Sequence, residues 1–263
     1  MTKAVFFDID GTLWDRYNVI PDSTKMAIRL LRENGHKAFI CTGRTRGYVT
    51  NEELLGIGFD GIVSGLGTMI EYDGEVKFLK EIPSNVMAWA IETVRSYGMK
   101  PILEGKDYLY MDRVDFESDA YGRKLFAELK ERWRPIEGYE GQWEVNKFSC
   151  ATLPCDNSVC MNALADKFDY IIHTPEVMEF MPKGYSKGTG LIHACEIIGI
   201  DPKDSIAIGD SANDIDMFRA AGTSVAMGNG SDVAKAAADI VTTSLHEDGI
   251  YNALVKLGLI DIN

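Results

Sequence analysis

The sequence is poor in cysteine and histidine, and it lacks any long apolar run. The five cysteines are odd in number and form no C-x-x-C pair, so neither a disulfide framework nor a zinc ribbon is predicted. We expect them to be reduced and mostly buried. They are Cys41, Cys150, Cys155, Cys160 and Cys195. The four histidines show no ligand pattern. No stretch approaches the roughly 20 apolar residues of a membrane span.

Basic residues are also scarce: 27 of them face 40 acidic residues, which gives a formal net charge of −13. Such a field repels nucleic acid and anionic lipid, so we expect neither as a partner. It also repels a phosphate ester, and a phosphate site in this chain would therefore need local cations. The first residues enter an apolar stretch without a cleavable signal pattern, which predicts a cytoplasmic protein. Nothing in the sequence indicates the oligomeric state.

Apolar and amphipathic stretches alternate through the first and last thirds of the chain. This order predicts an α/β fold, with a Rossmann-like parallel sheet as its core and helices on both faces. The predicted core strands are residues 4–9, 37–42, 61–64, 205–209, 224–227 and 240–243. The predicted core helices are residues 22–34 (with Asp22 as N-cap), 44–55, 188–198, 212–221 and 248–257. Asp73-Gly74 predicts a hairpin turn between strands 69–72 and 75–79.

The alternation breaks between residues 83 and 182. Strands are predicted there at residues 101–103, 108–111, 146–152 and 170–173. Helices are predicted at residues 84–97 (with Ser84 as N-cap), 118–132 and 157–168. These elements predict an inserted α+β domain of residues 83–182, within a core of residues 1–82 and 183–263.

Polar clusters follow two strands of the first third. Asp8, Asp10, Gly11 and Thr12 come directly after the first apolar strand. Two carboxylates beside a glycine suit a hard cation and an oxyanion, although Asp and Gly also make ordinary turns. Thr42-Gly43-Arg44 ends another strand, where a hydroxyl and backbone N–H groups can hold phosphate. By itself it also fits a plain strand-to-helix turn.

Two further clusters lie in the last third. Lys187 falls in the first turn of a helix, where the helix dipole disfavours a cation, so an anionic partner is indicated. A solvated surface lysine is the alternative. Asp210, Asn213 and Asp214 follow a strand, and the acids also fit a helix cap after Ser211. Ligands in open parallel sheets bind at the carboxyl ends of the strands, and four such clusters there favour one shared site.

These motifs, in this order, resemble the haloacid dehalogenase superfamily of phosphatases. The motifs are D-x-D-G-T, T-G-R, a lysine that opens a helix, and G-D-x-x-N-D. The insertion is similar to a type-2 cap, and residues 20–24, 178–188 and 225–229 are similar to the Cof-like branch. The resemblance implies that the cap acts as a lid that reads the leaving group. One departure is Leu66-Gly67-Thr68, where many Cof-like relatives have Asn-Gly-Ala.

The resemblance also implies a role for each matching residue. Asp8 would be the nucleophile and Asp10 the general acid and base. Mg²⁺ would be bound by the Asp8 carboxylate, the Asp10 backbone carbonyl and Asp210. The expected phosphate-binding residues are Gly11, Thr12, Thr42, Gly43, Lys187 and Asn213. Asp214 would orient Lys187 or a metal-bound water, and Arg44 completes the second motif in a supporting position.

The expected activity is magnesium-dependent hydrolysis of a small-molecule phosphate monoester, such as a sugar or cofactor phosphate, through an aspartyl-phosphate. Two alternatives remain open from the sequence. The phosphoryl group could pass to a sugar hydroxyl, as in a phosphotransferase or mutase. The fold could also serve as a non-catalytic binding protein, although the four residues that such a protein would be expected to lose are all present. These are Asp8, Asp10, Lys187 and Asp210.

Overall fold

The computed structural model describes residues 1–116, 120–151, 157–174 and 176–261. The chain separates into two compact units. The first consists of residues 1–43, 51–78 and 186–263, and the second of residues 44–50 and 79–185. The segment 44–50 thus belongs to the second unit, although the sequence assigned it to the core. The domain limits at 82/83 and 182/183 stay a prediction.

The first part of the chain supplies five strands and two helices to the first unit. They are β1 (Ala4–Phe7), α1 (Asp22–Glu33), β2 (Lys37–Cys41), α2 (Glu52–Gly56), β3 (Gly61–Ser64), β4 (Met69–Tyr72) and β5 (Glu75–Leu79). Asp73 and Gly74 join β4 to β5 with φ values of 54° and 74°. Those values fit the predicted hairpin turn, which needs positive φ at both positions.

The second unit holds a sheet of its own. Its elements are α3 (Ser84–Ser96), β6 (Lys100–Glu104), β7 (Leu109–Tyr110), α4 (Arg113–Phe116), α5 (Ala120–Leu129), β8 (Trp133–Arg134), β9 (Lys147–Ala151), α6 (Ser158–Leu164), β10 (Phe168–Thr174) and β11 (Val177–Pro182). The strand order is β10-β11-β9-β6-β7-β8. Among the described residues, neighbouring strands of this sheet pair antiparallel, except that β7 pairs with β8 in parallel.

The last part of the chain completes the first unit. Its elements are α7 (Lys187–Ile198), β12 (Ser205–Gly209), α8 (Ile215–Ala220), β13 (Thr223–Ala226), α9 (Asp232–Ala237), β14 (Ile240–Val241) and α10 (Gly249–Lys256). The sheet order is β14-β13-β12-β1-β2-β3-β4-β5. The strands from β14 to β3 pair in parallel, and β4 is antiparallel to β3. This confirms the predicted parallel α/β core.

Strand β1 lies at the point where the strand order reverses. The chain moves from β1 to β2 on one side and later returns to β12 on the other. At such a switch point the loops after adjacent strands diverge and leave a crevice at their carboxyl ends. All four residues of β1 are fully buried, which fixes the strand in the centre of the sheet. The residue after Phe7 is therefore held at this crevice.

Several local predictions were wrong at their boundaries. The helix predicted over residues 44–55 is instead a 3₁₀ turn, Arg46–Tyr48, followed by α2. Gly47 approaches the backbone of Gly105, to whose carbonyl its N–H donates at 3.1 Å, and Asn51 caps a new helix by accepting from Leu54 N at 2.9 Å. The segment over residues 212–221 likewise begins as a 3₁₀ turn, Ala212–Asp214.

Other differences concern caps and short strands. Pro21 and Pro83 occupy the N-cap positions that Asp22 and Ser84 were expected to fill, and neither helix has a side-chain cap. Strands β8 and β11 were not predicted. The helix predicted over residues 118–132 corresponds to α5, and α4 before it was not predicted. Residues 117–119 lie outside the described residues.

The described cysteines are buried free thiols, as predicted: Cys41, Cys150, Cys160 and Cys195. Cys155 lies outside the described residues. Within those residues, no helix combines the length and apolar character that crossing a membrane requires.

The sheet of the second unit carries a buried ionic cluster. Lys147 on β9 is paired across the sheet with Glu104 on β6, and its Nζ lies 3.4 Å from Glu104 and 2.8 Å from Glu179 on β11. The Lys147 side chain is 1% exposed. Burial raises the pKa of Glu104, against the opposing effect of Lys147. The two carboxylates therefore share this lysine as a cation.

Lys147→Met should destabilise the protein by about 3–5 kcal/mol, because it removes the cation that the buried Glu104 shares with the partly buried Glu179. The matched control is Lys77→Met, since Lys77 pairs with Glu75 on an exposed surface and should contribute about 1 kcal/mol or less. Urea denaturation of the three proteins measures both differences. If both variants lose the same small free energy of unfolding, Lys147 does not stabilise the cluster.

Candidate active site

Asp8 is the first residue after β1 and remains attached to the sheet. Its N–H donates to Ile208 O of β12 at 3.0 Å, and its side chain is almost completely buried. The chain then turns sharply, because the N–H groups of Thr12, Leu13 and Trp14 all donate to Ile9 O. This turn keeps the D-x-D-G-T residues at the carboxyl end of β1.

The ammonium group of Lys187 lies between the acids. Its Nζ donates to Asp8 Oδ1 and to Asp214 Oδ1, each at 2.6 Å, and to Asn213 Oδ1 at 3.2 Å. Three acceptors match the three donors of an ammonium group. The residue is 1% exposed and stands at the first position of α7, which Ser186 and Thr189 open with reciprocal capping bonds. The alternative of a solvated surface lysine is excluded.

Asp210 and Asp214 follow β12 and have different surroundings. Asp210 accepts a bond from Thr12 Oγ1 at 3.3 Å. Asp214 accepts from the N–H groups of Asp210 and Ser211 at 2.9 and 3.0 Å, in addition to Lys187. Asp214 thus both caps the 3₁₀ turn that follows Ser211 and contacts Lys187. With three donors on its two oxygens, Asp214 is better suited to orient Lys187 than to bind an ion.

The carboxylates form a group that fits a hard cation. One oxygen from each of Asp8, Asp210 and Asp214 lies within 4.8 Å of the other two. Burial raises the pKa of Asp8 to about 8, opposed by Lys187 and reinforced by Asp214 and Asp210. Burial, with Asp214 next, raises the pKa of Asp210 to about 7. The negative charge of the ionised carboxylates exceeds the single positive charge of the Lys187 ammonium group. Carboxylate oxygens are ligands that suit Mg²⁺.

Thr42, Gly43 and Asp10 are further predicted site residues of the first unit. Thr42 is buried at the end of β2, where its carbonyl accepts from Leu66 N at 3.1 Å, and Gly43 follows it. Asp10 is exposed, and its Oδ1 accepts from Trp14 Nε1 at 2.9 Å. One hydrogen-bond network joins Asp8, Thr12, Lys187, Asp210, Asn213 and Asp214. Asp10 lies in the same loop as Asp8 and Thr12, and Thr42 directly follows the neighbouring strand β2.

Arg44 belongs to the second unit, and its supporting role stays a prediction. Its guanidinium lies 4.5 Å from the centre of the Tyr48 ring. Both side chains line a cavity of about 70 Å³ in that unit. The cavity is also lined by the ionic cluster of Lys147, Glu104 and Glu179. Arg44 therefore lies beside the ionic cluster of the second unit.

Three supporting residues were not predicted from the sequence. Ser211 Oγ donates to Asn213 Oδ1 at 2.8 Å. Asn229 Nδ2 donates to Gly11 O at 2.8 Å, while its Oδ1 accepts from Leu245 N at 2.8 Å. Trp14 is the third, through its bond to Asp10. Asn229 lies in the stretch that resembles the Cof-like branch, but that resemblance assigned it no role.

The αL conformation of Leu66 marks the one departure from the Cof-like pattern. Its φ is 58°, between Gly65 at 58° and Gly67 at 83°. Asn adopts this region at less cost than Leu, which explains the Asn expected there from the resemblance. Leu66 is buried, so side-chain packing offsets the backbone strain. The Thr42 carbonyl still receives its bond from Leu66 N.

Gly11→Ala should disturb this site sterically. A Cβ on Gly11 would lie 2.4 Å from Asp210 Oδ2, and its φ of +83° also disfavours alanine. Gly35→Ala is the matched control, because Gly35 has φ +82° and no atom within 4 Å of its added Cβ. Both variants should lose about 1–2 kcal/mol of stability from backbone strain. Only Gly11→Ala should also lower activity. The expected loss is about 10²-fold, the effect of displacing the Asp210 carboxylate by about 1 Å.

Enzyme assays and thermal unfolding of the two variants separate these effects. If Gly11→Ala keeps its activity and has the same unfolding temperature as Gly35→Ala, the close approach of Gly11 to Asp210 is not required for activity.

Comparisons with known proteins find relatives that match nearly the whole chain. YkrA, a protein of Bacillus subtilis (strain 168) named for phosphatase activity, is 29% identical over 261 residues, which cover 98% of this chain and 99% of YkrA. The phosphoglycolate phosphatase of Archaeoglobus fulgidus is 30% identical, with 98% of each chain covered. The structure of the sugar phosphatase BT4131, of HAD subclass IIB, matches with a TM-score of 0.84 and 28% identity, over 98% of this chain and 100% of BT4131.

The family model described as haloacid dehalogenase-like hydrolase matches residues 5–254. This range includes all four motifs and the insertion between them. The chain therefore belongs to the haloacid dehalogenase-like hydrolase family and is a phosphatase.

Proposed function

We propose that this phosphatase hydrolyses a small-molecule phosphate monoester, with Mg²⁺, through an aspartyl-phosphate on Asp8. The observation that carries the proposal is the Lys187 ammonium, 2.6 Å from Asp8 and from Asp214. It provides a local cation in a chain of net charge −13 and lies where a phosphoryl group would meet Asp8. A carboxylate can attack a phosphate dianion only if nearby positive charge reduces their repulsion.

The first step is transfer of the phosphoryl group to Asp8. A carboxylate oxygen of Asp8 forms a bond to phosphorus while the bond from phosphorus to the leaving oxygen breaks. Lys187 and Thr42 hold phosphoryl oxygens, assisted by the Gly11-Thr12 turn, Gly43 and Asn213. Asp10 gives its proton to the leaving oxygen, so the product departs as a neutral alcohol.

The second step releases inorganic phosphate. Asp10, now ionised, takes a proton from water, and the water oxygen attacks phosphorus as the bond to Asp8 breaks. Two displacements with lower activation barriers thereby replace one displacement with a high barrier. The Asp8 and Asp210 carboxylates, with the Asp10 carbonyl, would hold Mg²⁺, which supplies positive charge to the phosphoryl oxygens when it is bound.

The substrate class is proposed as a small phosphate monoester. The relatives' names cover phosphoglycolate and sugar phosphates, and both are small monoesters. The strong negative charge of the chain disfavours nucleic acid as a substrate. Sugar phosphates and cofactor phosphates are therefore the first compounds to assay. Transfer to a sugar hydroxyl would appear in the same assay as a phosphorylated product in place of inorganic phosphate.

Asp8→Asn should reduce phosphatase activity to background, because a neutral amide replaces the nucleophile in nearly the same volume. Folding should be retained, since the amide oxygen can still accept from Lys187. The measurement is inorganic phosphate release from a panel of phosphate monoesters, with circular dichroism as the control for folding. Near-normal turnover by this variant would contradict the assignment of the nucleophile.

Removal of divalent cations should abolish activity, because excess carboxylate charge would then repel the substrate. The purified enzyme is treated with EDTA, dialysed and assayed with added Mg²⁺ or Ca²⁺. Mg²⁺ should restore turnover. Ca²⁺ should compete for the site with less activity, since its larger size and looser coordination suit phosphoryl transfer poorly. Full activity after chelation would contradict the proposed metal dependence.

A further inference from the structure

Both the backbone and the side chain of Trp14 form hydrogen bonds to the loop that carries Asp10. Its carbonyl accepts from Gly11 N at 2.9 Å, and its N–H donates to Ile9 O at 3.2 Å. Its indole Nε1 donates to Asp10 Oδ1 at 2.9 Å. The ring is 4% exposed, so the donor is held in a fixed place.

Asp10, by contrast, is an exposed side chain. Fixing an exposed carboxylate in one rotamer costs conformational entropy. The indole contributes a rigid N–H donor, and its bond favours the rotamer that brings Oδ1 within 2.9 Å. Trp14 therefore lowers the entropy cost of placing the Asp10 carboxyl group before substrate arrives.

We propose that Trp14 is a positioning residue that aims Asp10 at the oxygen of the leaving group. The proposal rests on the role of Asp10 under the proposed function. It assigns to Trp14 no contact with the substrate. The competing explanation is that Asp10 only satisfies a nearly buried indole N–H, which would make the bond a stabilising contact without influence on proton transfer.

The dependence on leaving group separates these two explanations. Alkyl and sugar alcohols are poor leaving groups and need a proton from Asp10 as the bond to phosphorus breaks. p-Nitrophenolate leaves readily without that proton. The value of kcat/KM reports the steps up to the first irreversible one, here transfer to Asp8. It is therefore insensitive to the later hydrolysis, in which Asp10 acts on both substrate types.

Trp14→Phe should lower kcat/KM for an alkyl phosphate, such as glycerol phosphate, by about tenfold to hundredfold, part of the 10²–10⁴ of general acid catalysis. With p-nitrophenyl phosphate the change should be less than about threefold. Trp14→His, which keeps a ring N–H, should recover part of the loss. Trp143→Phe is the matched control, because it removes an equally buried indole whose Nε1 donates to Ile136 O at 3.2 Å.

A double-mutant cycle with Asp10→Asn tests whether Trp14 acts through Asp10. Asp10→Asn alone should lower kcat/KM for the alkyl phosphate more than for p-nitrophenyl phosphate. Adding Trp14→Phe to it should cause no further selective loss. If Trp14→Phe does not fold, a benzothienyl analogue of tryptophan at position 14 removes the N–H and keeps the ring shape.

Three outcomes would overturn the inference. One is an equal loss for both substrates, and another is a loss that adds fully to that of Asp10→Asn. The third is a drop in melting temperature matching that of Trp143→Phe, with kcat/KM unchanged. Failure of the proposed function is distinguishable, because Asp10→Asn by itself would then show no dependence on the leaving group.

Discussion

The structure of the site depends on one buried ammonium group. Lys187 is essentially inaccessible to solvent and bonds to Asp8, Asp214 and Asn213, which come from opposite ends of the sequence. Burying such a charge is favourable only when its partners compensate for lost hydration, and removing one partner of a buried pair typically costs about 3–5 kcal/mol. The lysine thus joins the loops after β1 and β12. Under the proposed function it also supplies the cation that a phosphate ester requires, so that stability and catalysis would share the same contacts.

Close backbone approach supports this arrangement. Gly11 and Gly209 lack the Cβ that would collide with Asp210 and with Asp214, so the loops after β1 and β12 can meet. Asn229 then ties the Gly11 carbonyl to the segment at Leu245. The acids are held near one another although they repel, and the raised pKa values of Asp8 and Asp210 follow from burial and this repulsion. A divalent cation would relieve the excess negative charge.

Much of this site could be predicted because its residues follow strands whose apolar runs are easy to recognise. Asp8, Thr42 and Asp210 stand at the carboxyl ends of β1, β2 and β12, and parallel pairing brings these ends to one edge. Lys187 was indicated by its unfavourable position at a helix N-terminus. Trp14 was not predicted, since an indole four residues after an acid gives no signal until the turn is known. The grouping of residues 44–50 with the second unit could not be predicted, because the close approach of Gly47 to Gly105 is a tertiary contact.

The central claim is that Asp8, paired with Lys187, attacks phosphorus. The most direct measurement is acid quenching of the enzyme during turnover, reduction with borohydride and peptide mapping by mass spectrometry. Borohydride converts an aspartyl-phosphate to homoserine, so the account predicts homoserine at position 8 only when substrate is present. Substrate-dependent modification at another carboxylate, or an unmodified Asp8 in enzyme quenched while phosphate is being released, would contradict it.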